Sequence, residues 1–180
     1  MRVSDDGAMP WPARRPTVPP QVVSQLELTA GERVLSAVAD RRDQWHVATD
    51  QAFHVGVGDG WLRIPWQRVD RASWDRDTDL LAVVEVADFG QLQPRFELDL
   101  AEPGRFLEVV RERVTASVLL SRHVAVTGSR GLKVVARRPP AGDGELDWSF
   151  WLDEGLDPAD PLVREAAERG LSEARAELGL

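Results

Sequence analysis

Alternation of apolar and polar positions begins near Gly31 and governs the next seventy or so residues. Side chains on a strand point to opposite faces in turn, so a period of two predicts strands. They are expected at Arg33–Ala39, Trp45–Ala48, Phe53–Val57, Trp61–Trp66, Val69–Asp75, Leu80–Val86 and Arg95–Leu100, separated by turn residues such as Gly58, Asp59 and Gly60. In the hairpin from Trp45 to Val57, an odd loop of Thr49, Asp50 and Gln51 keeps Trp45, Val47, Phe53 and Val55 inward. It leaves His46 and His54 outward and opposite each other. The period then lengthens to 3.6: Phe106, Leu107, Val110, Val114, Ser117 and Val118 form one stripe, with Pro103 in the opening turn, which predicts a helix. A brief strand is expected at Val124–Thr127 and a hairpin of Leu132–Arg138 with Leu146–Leu152. Asp160 and Pro161 then open a final helix, expected to run to about Leu178 with Val163, Ala166, Ala167, Gly170, Leu171, Ala174 and Leu178 buried.

Residues 1–24 break both periods. Pro10, Pro12, Pro16, Pro19 and Pro20 remove backbone donors and favour extended chain, so a disordered proline-rich arm is expected there. Its start lacks the apolar core of a secretory signal, and no apolar run approaches the ~20 residues of a membrane helix, so the expected location is the cytoplasm.

The segments Gly31-Glu32-Arg33-Val34-Leu35, Trp45-His46-Val47-Ala48-Thr49-Asp50 and Ile64-Pro65-Trp66, followed by a late helix, resemble bacterial pleckstrin-homology-like and GRAM-type domains over about residues 31–121. The resemblance implies an α+β, β-rich fold: an antiparallel barrel of about seven strands closed by a helix over residues 25–122. A smaller ββα extension over residues 123–180 would pack on the barrel. Such a fold hosts unrelated functions, so no activity follows from it. Members that bind phosphoinositides carry a basic loop between the first two strands; here that loop is Asp40-Arg41-Arg42-Asp43-Gln44, in which acids flank the bases. Over its full length the chain is also similar to short actinobacterial proteins without an assigned activity.

Charge changes the picture in two ways. The net charge of -8 weighs against general binding to nucleic acid or anionic membrane. Its distribution is uneven, because Arg113, Arg122, Arg130, Lys133, Arg137 and Arg138 occupy a stretch without acids, and the stretch from Asp143 to Asp160 holds acids without bases. Two readings follow. The segments neutralise each other across their hairpin, or Arg130, Lys133, Arg137 and Arg138 bind an anion or a partner protein.

Candidate chemistry is sparse. There is no cysteine, and no GxSxG, HExxH or phosphate-loop pattern. His46 and His54 form a weak candidate metal pair, lacking a third ligand. Trp61, Trp74 and Trp151 fall off the inward phase, and exposed tryptophans are candidate binding anchors; Trp151 stands nearest the charged hairpin. The expectation is a non-catalytic adaptor that docks another protein through an exposed Trp/Arg surface, with no cofactor. The alternative is a binder of an anionic small molecule or lipid headgroup through residues 130–138, and the third class is an enzyme.

Overall fold

The computed structural model describes residues 18–140, 142 and 144–180. Most of the arm expected over residues 1–24 therefore lies outside the described residues. Its last part does not extend: Pro20–Ser24 is a short helix, α1, with Val22 buried.

The seven expected strands form in order: β1 (Val34–Ala39), β2 (Trp45–Thr49), β3 (Ala52–Val57), β4 (Gly60–Pro65), β5 (Val69–Asp75), β6 (Leu80–Glu85) and β7 (Arg95–Asp99). A single 3-10 turn, Trp66–Arg68, joins β4 to β5. These strands do not close into a barrel, contrary to the expectation from the resemblance. They make two separate antiparallel sheets, β1-β2-β3-β4 and β5-β6-β7. The 3-10 turn separates β4 from β5, and the other end is bridged by one backbone hydrogen bond, Arg41 N to Asp99 O at 2.9 Å, outside any ladder. A third sheet, β10-β9-β8, lies beyond them, so the carboxy-terminal extension has three strands rather than two.

The first two sheets share one core with α2 (Arg105–Ser117). Val38, Ala48, Phe53, Val55 and Ile64 come from the first sheet; Leu81, Val83 and Leu98 from the second; Phe106, Val109 and Val110 from the helix. Phe53 sits at its centre, stacked on Trp66 at 5.9 Å and tilted against Phe106 at 5.8 Å.

The other face of the first sheet is buried as well. Val22 and Leu26 cover Ala37 and Val47, with Trp45 and Trp61 packed at the margin. This double burial explains a register the alternation rule misses. Only Asp50 and Gln51 separate β2 from β3, and the strands pair Val47 with His54 and His46 with Val55. Both histidines are thus inside, each 1% exposed, not outward as expected. A strand covered on both sides gives no polar face by which to phase it.

The helix α2 ends at Ser117 without glycine or loop, and Val118 is already extended as the first residue of β8 (Val118–Thr127). The brief strand expected at Val124–Thr127 therefore begins six residues earlier. β9 (Arg130–Arg137), β10 (Asp147–Leu152) and α3 (Pro161–Glu177) complete this part. Asp160 caps α3 by accepting from Leu162 N at 2.8 Å. Gly170 lets α3 approach its sheet closely, because a Cβ there would meet Val124 Cγ2 at 2.6 Å. Phe89, from the connection between β6 and β7, meets Phe150 edge-on at 5.4 Å and so joins the second sheet to the third. No helix among the described residues is long and apolar enough to cross a membrane.

Candidate binding cleft beside a buried carboxylate

Among the described residues, two carboxylates have completely buried side chains that each accept several hydrogen bonds: Glu32 and Asp70. Neither carries a local sequence signal, and both organise the residues that carry chemistry.

Glu32 stands two residues before β1, beneath the segment that follows α1. Its Oε1 accepts from Thr49 Oγ1 at 2.6 Å and from His54 Nε2 at 3.0 Å. Its Oε2 accepts from Thr29 N at 3.0 Å, Thr29 Oγ1 at 2.8 Å and Arg63 Nη2 at 3.2 Å. Burial alone would raise the carboxyl, but the hydrogen bonds from His54, Thr49 and Thr29 outweigh it and hold the group at about 2. Five donors fill the lone pairs of this carboxylate, so it serves as a strut rather than a base.

The strut fixes the floor of a cleft of about 460 Å³, lined by Gln25, Glu27, His54, Asp59, Gly60, Trp61 and Arg63. One wall is the segment after α1; the other is the turn and strand of the β3–β4 hairpin. Trp61 pairs with Gly56 and Arg63 with His54, so both side chains lie on the face of the sheet that the amino-terminal segment covers. The contact of His54 Nε2 with Glu32 fixes the ring at the base of the cleft.

His46 belongs to the opposite face. Its Nδ1 accepts from Gly56 N at 3.3 Å, and its Nε2 has no hydrogen-bond partner, with Asp40 Oδ2 3.7 Å away. Burial drives its pKa down against the pull of Asp40. Val47 pairs with His54 and His46 with Val55, and successive residues alternate in direction, so the two histidines project to opposite sides of the sheet. They cannot share a metal, and the candidate pair is withdrawn for that reason.

Asp70, on β5, collects groups from far along the chain. Trp151 Nε1 donates to its Oδ1 at 2.7 Å, Gln93 Nε2 to its Oδ2 at 2.9 Å, and Arg71 Nη1 to its Oδ2 at 3.2 Å. Arg137 Nη2 donates to the Asp70 carbonyl at 2.6 Å and lies 3.5 Å from Oδ1, while Arg137 Nη1 donates to Ser117 Oγ at 3.0 Å. The Arg71 guanidinium sits 4.5 Å from the centre of the Trp151 ring.

The residues singled out from sequence are thereby divided. Arg137 is 5% exposed and bonded inside the protein, and the indole N–H of Trp151 is spent on Asp70; both tie the third sheet to the second. Arg130, Lys133 and Arg138 remain exposed on β9 and just after it. In the ladder Lys133 stands opposite Trp151 and Arg137 opposite Asp147. Asp147 instead lies 3.7 Å from Arg68, and Asp153 is pulled down chiefly by the Gly131 backbone N–H, helped by His123 and Lys133. Of the tryptophans read as anchors, Trp61 lines the cleft. Glu32, Asp70 and Arg63 were not found from sequence.

No protein-family model, curated protein or solved structure matches this chain.

Proposed function

We propose that this chain is a non-catalytic docking protein that holds a segment of another protein in the cleft beside β4. The observation that carries the reading is the placement of Trp61 and Arg63 on an edge strand, side by side on one face and bordering a preformed cleft. Trp and Arg are the residue types that dominate binding energy at protein interfaces. An edge strand also offers backbone donors and acceptors to an incoming extended segment. The buried carboxylate beneath gives the cleft a rigid floor, which lowers the ordering cost of binding.

The anionic-ligand alternative keeps Arg130, Lys133 and Arg138 but loses Arg137, whose guanidinium is engaged by Asp70 and Ser117. A cytoplasmic location accompanies the docking reading. The test is selection of a random peptide library on the immobilised protein, with the enriched peptides mapped by NMR. Shifts clustered at residues 59–63 and 25–27 are the expected result. Failure to enrich any peptide, or shifts clustered at residues 130–138, overturns the reading.

A further inference from the structure

We propose that the cleft beside β4 takes a cationic side chain, a guanidinium or ammonium group, as the anchor of the docked segment. This rests on the docking reading above and names the chemistry of its partner.

Charge around the cleft is the first argument. Glu27 on one wall and Asp59 on the other are both exposed carboxylates, and Glu32 lies beneath. The one cation of the lining, Arg63, has its Nη2 3.2 Å from Glu32 Oε2, so its charge is already matched. An incoming anion would meet Glu27 and Asp59 beside a guanidinium already paired with Glu32. An incoming cation meets two carboxylates with no cation assigned to them among the described residues.

The second argument is the rest of the lining. His54 is 1% exposed yet contributes to the cleft lining. Its Nε2 is held 3.0 Å from Glu32 Oε1, which fixes the ring in place at the base of the cleft. Trp61 supplies a further element, an indole face, to which a cation is drawn by the ring quadrupole. Carboxylates at two walls, with an aromatic ring on the strand, suit a long basic side chain whose stem also needs apolar cover.

The volume agrees. About 460 Å³ holds one long side chain and bridging water, not a folded domain. The rest of the segment would then lie along β4, outside the cleft.

Peptides enriched in the library selection provide the reagents. For the tightest binder, each Arg is replaced by citrulline and each Lys by norleucine, which remove the charge and keep the length. Affinity is measured by calorimetry on the full chain. One such replacement is expected to weaken binding at least tenfold. The variant carrying Asp59→Asn and Glu27→Gln, both at exposed positions, is expected to lose a similar factor while keeping its melting temperature. In parallel, methylguanidinium is titrated against the protein, with the Trp61 indole signal assigned by Trp61→Phe. A shift of that signal is expected, with none on adding acetate or inorganic phosphate. Peptides that bind at residues 59–63 equally well with citrulline overturn the cation assignment and leave the docking reading standing. A Trp61 shift with methylguanidinium but no enriched peptide keeps the cation site and overturns docking. Neither signal overturns both.

Discussion

Glu32 and Asp70 are equally buried, yet they do opposite work. Glu32 is satisfied from nearby, by Thr29, Thr49, His54 and Arg63, all within one sheet and the segment leading into it. Asp70 is held by Arg71 and Gln93 of its own sheet and its connection, and also by Arg137 and Trp151 of the third sheet, the last of them 81 residues away. The first carboxylate shapes a local floor and leaves an open cleft above it. The second joins two sheets and leaves no free side-chain oxygen. Burial by itself therefore says little about function: the reach of the partners decides whether a buried charge builds a site or a clamp.

Removing the clamp should have the largest effect. Asp70→Ala strands Arg137 and the Trp151 N–H in a buried place, and should lower stability by about 3–5 kcal/mol in urea unfolding. A loss below about 1 kcal/mol would show that the third sheet holds without it. Next comes acid. Glu32 titrates at about 2 when folded and at its ordinary value of 4.5 when unfolded. Its depressed pKa gives stability that is full above pH 4.5 and lost as the pH falls toward 2, amounting to about 3 kcal/mol. Glu32→Gln should remove that part of the acid dependence, and an unchanged profile would mean that other carboxyls set it.

Trp151→Phe keeps an aromatic ring but loses the N–H bonded to Asp70 and part of the indole beneath Arg71, for a cost of at least about 1.5–3 kcal/mol. In a double-mutant cycle with Asp70→Asn the two effects should fail to add by at least 0.5 kcal/mol or so, and additivity would place the indole outside the clamp. The smallest effect belongs to His46. Because burial lowers its folded pKa, the unfolded chain takes up the proton first, and stability falls as the pH drops below about 6.5, by about 1.4 kcal/mol per pH unit at most. His46→Gln should flatten that slope, as read from melting temperatures between pH 7 and 5.

Most elements were legible in the sequence because their signals are local. The two-residue period located all seven strands of the first two sheets, and Asp160 with Pro161 marked the start of α3. What escaped depends on what lies across from an element. Val47 and His54 share a face because both sides of the first sheet are covered, which no pattern within β2 or β3 records. Barrel closure turns on whether edge strands meet, and the sheets stay separate. The cleft was half visible: Trp61 stood out as off-phase, but Arg63 and Glu32 acquire their meaning only from each other, 31 positions apart. Arg137 and Trp151 read as surface residues because Asp70, the group that draws them in, sits on a different sheet.

The junction at Ser117 and Val118 has a consequence for how the molecule could be taken apart. With no loop between α2 and β8, a protease finds no slack chain there to thread into its active site. A genetic cut at the same point would part Arg137 and Trp151 from the buried Asp70, and Phe150 from Phe89. Fragments of this chain would then fail as separate modules for a mechanical reason. The backbone passes from one packed body to the next without a hinge, so a tag or a fusion belongs at an end and never between the sheets.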